Sequence, residues 1–132
     1  MIFDQKLTTH KRQEMINITS TVADDIATGK LENGLCVIFI THTTAAVTVN
    51  ENADPDVPRD MLNKFRQLVP EGDGYRHLEG NSDAHILSTL IGCSLTIPVV
   101  NGQMILGTWQ GIYFVELDGP RQRRFKVKLL AG

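Results

Sequence analysis

The 132-residue chain is 42% hydrophobic and 21% charged, with a formal net charge of -2 and a sequence pI of about 6.0. That balance disfavours a general nucleic-acid or acidic-membrane binder and fits one globular domain, residues 1–132, long enough to bury a core. Apolar runs such as Leu35–Ile40 are far too short to span a bilayer, and Met1–Lys6 lacks the basic and apolar regions of a signal peptide, so a cytoplasmic protein with free thiols at Cys36 and Cys93 is expected.

Residues 2–9 and 13–18 have the mixed or alternating polarity of short strands, expected to pair with each other. Between 20 and 30, Val22, Ala23, Ile26 and Ala27 recur at helical spacing, with Ser20 as a cap and Gly29 as the stop. Leu35–Thr41 is apolar on both parities, the pattern of a strand buried on both faces, and Ala45–Asn50 continues in extended style. Asp54-Pro55 opens a second helix, since proline and acidic residues both suit a first turn; Val57, Met61, Leu62, Phe65 and Leu68 form its apolar stripe. After a glycine-bearing loop over 71–80, a third helix is predicted over 82–91, capped by Asn81 or Ser82 and ended by Gly92. The remainder reads as strands over 94–100, 103–106, 109–117 and 123–130, with turns at Asn101-Gly102 and Asp118-Gly119-Pro120. In the last strand Phe125, Val127 and Leu129 alternate with Arg124, Lys126 and Lys128, giving one buried face and one basic face. Strand runs with three interspersed helices, and no strict strand–helix alternation, predict the α+β class: a mostly antiparallel sheet with the helices packed against it. Cys36 and Cys93 lie among apolar neighbours and are expected to behave as small core hydrophobes.

The polar residues that look out of place fall in three segments. The first is His42-Thr43-Thr44, followed by the carboxylates Glu51 and Asp54 on the approach to a helix; the second runs from His77 through Asn81 and Asp83 to His85. The third is Gly107-Thr108-Trp109-Gln110-Gly111, continuing to Glu116 and Arg121. Three histidines with a carboxylate or a water are a recurrent set for zinc and other first-row metals. No His-Glu-x-x-His or Cys-x-x-Cys spacing is present, so metal ligation, acid–base work and plain helix capping all stay open on the residues alone. Glu116 shares its strand parity with Gln110, Ile112 and Phe114, and a carboxylate on such a face calls for a partner: a site, or a salt bridge to Arg121 or Arg123. Trp109 suits either a core position or stacking on a ring. Within the basic strip Arg121, Arg123, Arg124, Lys126 and Lys128, Arg121 is kept as an anion ligand, while the outward charges of Arg124, Lys126 and Lys128 serve to keep an edge strand soluble. A phosphate-binding glycine loop and a Gly-x-Ser-x-Gly elbow are both absent.

The stretches THTTAAVTVNENADPDVPRDM, HLEGNSDAHILSTLIG and GQMILGTWQGIYFVELDGPRQRR resemble the YjbQ-like family, the secondary thiamine-phosphate synthases. The resemblance spans much of Thr41–Arg124, and no site position departs from the family pattern. It implies an α+β subunit in a homotrimer, with sites near the subunit contacts. It also implies a cluster of His42, His77 and His85 that holds a divalent metal, zinc or magnesium. Glu51, Asp54, Asp83 and Glu116 are then catalytic carboxylates, and Asn81, Trp109, Gln110 and Arg121 contact a small phosphorylated substrate. The implied activity joins hydroxymethylpyrimidine diphosphate to a thiazole phosphate and releases diphosphate. Metal-assisted hydrolysis of a small phosphorylated or carbonyl compound, and a trimeric binding module without turnover, are the competing readings.

Overall fold

Eleven elements follow one another along Met1–Gly132, all of which the structure, a computed structural model, describes: β1 (Ile2–Thr8), β2 (Glu14–Asn17), α1 (Thr19–Thr28), β3 (Gly34–Ile40), β4 (Ala45–Glu51), α2 (Asp56–Leu68), α3 (Ser82–Ile91), β5 (Ser94–Val100), β6 (Gln103–Met104), β7 (Gln110–Glu116) and β8 (Gln122–Ala131). The strands form two wholly antiparallel sheets, a larger one ordered β1-β8-β3-β5-β6 and a smaller one ordered β2-β7-β4. This is the expected α+β class, with the strands divided between two layers.

Side-chain parity explains the layering. Cys36, Ile38, Ile40, Phe125, Val127 and Leu129 point from the larger sheet toward Ala45, Val47, Ile112 and Phe114 of the smaller one, and α1 adds Val22 and Ile26 to this core. The opposite face of the smaller sheet sends Ala46, Tyr113 and Val115 against Ala84 and Leu87 of α3, with Val69 and Phe65 beside them. Strand β7 is therefore covered on both faces, and Gly111–Leu117 is buried without interruption. The helices all lie on the inner side of the larger sheet, whose outer face carries the exposed side chains Leu35, Phe39, Val100 and Leu130.

Local punctuation placed the elements well. The third helix occupies the predicted 82–91 and ends at Gly92 with φ +106, while Asn101 and Gly102 take the positive φ values (52 and 76) that a tight hairpin requires. Five expectations are overturned, one being that Arg124, Lys126 and Lys128 lie on an edge strand: β8 runs between β1 and β3. The first two strands do not pair with each other: β1 lies against β8 and β2 against β7, in different sheets. Strand β3 is buried on one face only, because Leu35 and Phe39 point outward at 41% and 46% exposure. Ser20 does not cap α1: the N-cap position is Ile18, and the Asn17 Oδ1 just before it accepts from the Thr19 N–H at 3.0 Å. Cys93 is exposed, unlike Cys36, whose thiol burial pushes up to about 11.

Candidate functional site

The connection from β3 to β4 carries the chain from one sheet to the other, and His42 sits on it. Two neighbours on β8 hold this turn. The Arg123 guanidinium donates to the Thr44 carbonyl at 3.1 Å and to its hydroxyl at 2.9 Å, and the Arg124 backbone N–H donates to His42 Nε2 at 2.9 Å. Strand β3 ends at Ile40 opposite Phe125, so the imidazole supplies the acceptor that a continued strand would have offered Arg124. With Nε2 accepting, neutral His42 carries its proton on Nδ1 and presents a donor. Burial holds the imidazole below its ordinary pKa, helped by the charges of Arg123 and Arg121 and opposed by Glu116.

His42 faces a groove of about 720 Å³ between this turn and α3, whose other walls include Phe39, His85, Ser88, Thr89 and Cys93. The Ser88 hydroxyl donates to the Ala45 carbonyl at 2.7 Å and ties α3 to the start of β4. His77, from the loop before α3, meets His85 edge to face with ring centroids 5.5 Å apart. Imidazoles from two separate stretches thus meet at one groove: His42 and His85 line it, and His77, eight residues before His85, touches His85 without lining it. On its other side His42 borders a second groove of about 380 Å³, lined with Lys6, Thr8, Gln122 and Arg124.

Of the carboxylates read as catalytic, Glu116, Asp83 and Asp54 have other work, and Glu51 lies far from the histidines. Glu116 is 0% exposed and accepts from Arg123 Nε at 2.8 Å, from the Thr9 hydroxyl at 2.7 Å, and from the backbone N–H groups of Leu117 and Asp118 at 2.9 and 3.0 Å. Burial alone would push its carboxyl up; the bonds from Arg123, Thr9 and Asp118 outweigh it and hold the group below the ordinary carboxylate value. It stitches the two sheets together and faces no groove. Asp83 is 1% exposed and is gripped by both terminal nitrogens of Arg12 at 3.0 Å, which locks the start of α3 to the turn before β2. Asp54 accepts from the Asp56 N–H at 2.9 Å and starts α2. Glu51 ends β4, which at about 3.3 Å per residue puts it roughly 20 Å from the His42 end.

The substrate contacts divide likewise. Gln110 stands opposite Glu51 in the ladder, and Trp109, 62% exposed, precedes it, so both lie at the far end of the smaller sheet. Asn81 donates to Asp118 Oδ2 at 2.9 Å. Arg121 is spent on Asp118, donating to its carbonyl at 2.9 Å and to its carboxylate at 3.0 Å, so it is no free anion ligand. Arg123, placed by the sequence in a basic strip, is on the buried face at 2% exposure. Gly119, in the same turn, allows a close crossing: a Cβ there would stand 2.3 Å from the Lys11 carbonyl and 2.8 Å from Glu116 Cγ. Sequence reasoning missed Arg12, Lys6 and Cys93 at this end of the molecule. Their roles come from strand register and cross-sheet contact, which leave no local signal.

A divalent metal finds only part of its expected ligand set. His77 and His85 are neighbours, but the Nε2 lone pair of His42 is committed to Arg124, and no three His, Cys, Asp or Glu side chains of the chain converge closely enough to hold an ion. The three histidines of one subunit do not fit a metal centre.

Residues 4–132 match the family model described as UPF0047 protein YjbQ-like. The UPF0047 protein of Methanocaldococcus jannaschii is 49% identical over 130 residues, covering 98% of this chain and 94% of that one. UPF0047 protein YugU of Bacillus subtilis is 47% identical over 131 residues, covering 98% and 99%. Among solved structures, an uncharacterised conserved protein of the yjbq/upf0047 family from Clostridium acetobutylicum superposes with a TM-score of 0.96 at 45% identity, covering 97% of this chain and 99% of that one. A YbjQ-like protein of unknown function from Sulfolobus solfataricus gives 0.96 at 32% identity, covering 100% and 97%.

Proposed function

The chain belongs to the YjbQ-like UPF0047 family, and on that premise we propose that it has thiamine-phosphate synthase-type activity at the histidine groove, joining hydroxymethylpyrimidine diphosphate to a thiazole phosphate. One observation carries the reading: His42 and His85, with His77 behind, share a groove of about 720 Å³ that can hold two small rings. In the reaction the carbon–oxygen bond to diphosphate breaks, its electron pair leaves with the diphosphate, and the thiazole nitrogen bonds to the same carbon. No net proton transfer is needed. The protein's task is to hold two phosphorylated molecules in line and to stabilise the charge gathering on the leaving group. The Nδ1–H of His42 is a fixed donor for that charge, and the His85 imidazole is a second. Given the ligand geometry, no step is routed through a metal.

The test is turnover of the two phosphorylated precursors by tag-free protein in metal-defined buffer, with thiamine phosphate as the measured product. Catalysis by wild type and its loss by about 10²-fold or more in His85→Ala support the reading. Saturable binding without turnover favours the binding module instead, and turnover that appears only with added zinc or magnesium overturns the metal-independent assignment of the histidines.

We also propose that copies of the chain associate through the outer face of the larger sheet, as the homotrimer expected of the family. Leu35 lies opposite both Pro98 and Leu130 in the ladders, and Leu35 and Leu130 are 41% and 44% exposed. Burying such a side chain is worth about 1.5–3 kcal/mol, so an uncovered row of them favours association. Sedimentation equilibrium is expected to give a trimer for wild type and a smaller species for Leu35→Glu; a monomeric wild type refutes it. No helix is long and apolar enough to cross a membrane, and the free thiols Cys36 and Cys93 suit a reducing, cytoplasmic setting.

A further inference from the structure

We propose that the smaller groove beyond His42 is an anion site for a phosphate or diphosphate group, with Lys6 and Arg124 as its cationic walls. Strands β1 and β8 run antiparallel, and on their outward face Asp4 stands opposite Lys126, Lys6 opposite Arg124, and Thr8 opposite Gln122. Asp4 and Lys126 are opposite charges and form an ion pair. Lys6 and Arg124 are like charges directly across the ladder, an arrangement that costs stability unless something negative lies between them. No carboxylate pairs with either one: neither side chain takes part in an ion pair, and the nearby Asp4, which feels the Arg124 charge, is engaged by Lys126.

The location distinguishes this pair from other surface cations. Lys128 is also without an ion pair, but it stands opposite Ile2 and Val37 and lines no groove. Lys6 and Arg124 line a groove of about 380 Å³ together with Thr8, Gln122 and His42, which add neutral donors to the two charges. The third cation there, Arg123, is neutralised by Glu116 from beneath. A planar guanidinium, an ammonium, a hydroxyl and an amide around a small space make a recognition set for a compact polyanion, whose oxygens accept from all of them at once. His42 borders both grooves, so an anion seated here would sit one imidazole away from the space assigned to the rings. The inference deepens the proposed function by seating the phosphate end of a substrate, and rests on that reading for the identity of the substrate alone.

Titration calorimetry with inorganic diphosphate on the full chain tests it, at fixed ionic strength, for wild type, Lys6→Gln, Arg124→Gln and Lys128→Gln. Wild type is expected to bind. Lys6→Gln and Arg124→Gln each lose about tenfold or more in affinity, while Lys128→Gln stays within about twofold of wild type. Both weakening changes are on an exposed face and remove one of two repelling charges, so thermal stability is expected to hold or rise. Absence of diphosphate binding by wild type overturns the inference, as does equal weakening by Lys128→Gln, which would mark diffuse attraction, or unchanged affinity in Lys6→Gln and Arg124→Gln. Diphosphate binding that depends on Lys6 and Arg124 without thiamine-phosphate formation would sustain the anion site and sink the synthase reading. Synthase turnover with diphosphate affinity indifferent to both residues would do the reverse.

Discussion

Arg123→Met is expected to lower stability by about 3–5 kcal/mol at neutral pH, the usual cost of leaving one member of a buried ion pair without its partner. Glu116 is fully enclosed, and Arg123 supplies the only positive charge that touches it. The Thr9 hydroxyl and two backbone N–H groups remain in the variant, so the carboxylate keeps neutral donors and loses its counter-charge. The pH dependence separates this mechanism from simple loss of side-chain volume. In the wild type the Glu116 pKa is lowered by folding, so its contribution is fully present above the ordinary carboxylate value and is lost as pH falls through the lowered one. Without Arg123, burial dominates and the folded pKa rises above the unfolded one. The carboxyl then favours folding only while protonated, and stability falls as pH rises through the raised value. Urea unfolding at several pH values and one fixed protein concentration should show acid weakening the wild type and partly restoring the variant. The double change Arg123→Met with Glu116→Gln recovers much of the loss, since an amide in place of the carboxylate needs no counter-charge. A penalty below about 1 kcal/mol, or the same pH trend in both proteins, would mean that Glu116 does not depend on Arg123. Because Arg123 also holds the Thr44 carbonyl, the variant is expected to loosen the turn bearing His42 and to lose activity at temperatures where it is still folded.

The features legible in the sequence were those written locally. Helical spacing with Pro55, Asp54 and Gly92 as punctuation marked two helices to within about two residues, and Asn101-Gly102 marked a hairpin because those residues accept positive φ. The histidines stood out because each lies among polar or turn-forming neighbours, where the chain has little packing reason to keep an imidazole. What failed was pairing at a distance. Nothing near Ile2–Thr8 says that its partner is the last strand of the chain, so the opposition of Lys6 and Arg124 could not be read. Apolar residues on both parities of Leu35–Ile40 looked like double burial, yet Leu35 and Phe39 lie on the outward, exposed face of the strand. The carboxylates were misgrouped for a similar reason. Glu51 follows His42 closely in sequence, but seven extended residues carry it to the opposite end of the sheet. Glu116 was rightly singled out as costly to bury, and the cost is offset by Arg123 rather than by a ligand; Asp83, read as a site carboxylate, is likewise held by Arg12.

His42→Ala is expected to reduce turnover of the two phosphorylated precursors by about 10²–10³-fold, the usual effect of removing one preorganised donor from developing negative charge. The geometry specifies more than the loss. In the proposed reading His42 is a neutral donor, with Nε2 accepting from Arg124 and the proton on Nδ1, so glutamine, whose carbonyl can accept from Arg124 while its amide donates, should restore a substantial part of the rate. A proton-transferring or metal-bound imidazole would give no such rescue, since an amide does neither at neutral pH. The pH profile supplies the second check. Burial, with Arg123 and Arg121, holds the imidazole pKa down, so the wild type retains its neutral, active form below the ordinary histidine value of 6.5 and loses activity as pH falls through the lowered one. His42→Gln has no group to titrate there and is expected to lose that acid limb while His85 and the cationic groove are unchanged. Alanine within a few-fold of wild type, glutamine no better than alanine, or an acid limb that persists in the glutamine variant would each remove His42 from the role of fixed donor. Burial and the two guanidinium charges favour the neutral imidazole, and the Arg124 N–H fixes Nε2 as its acceptor.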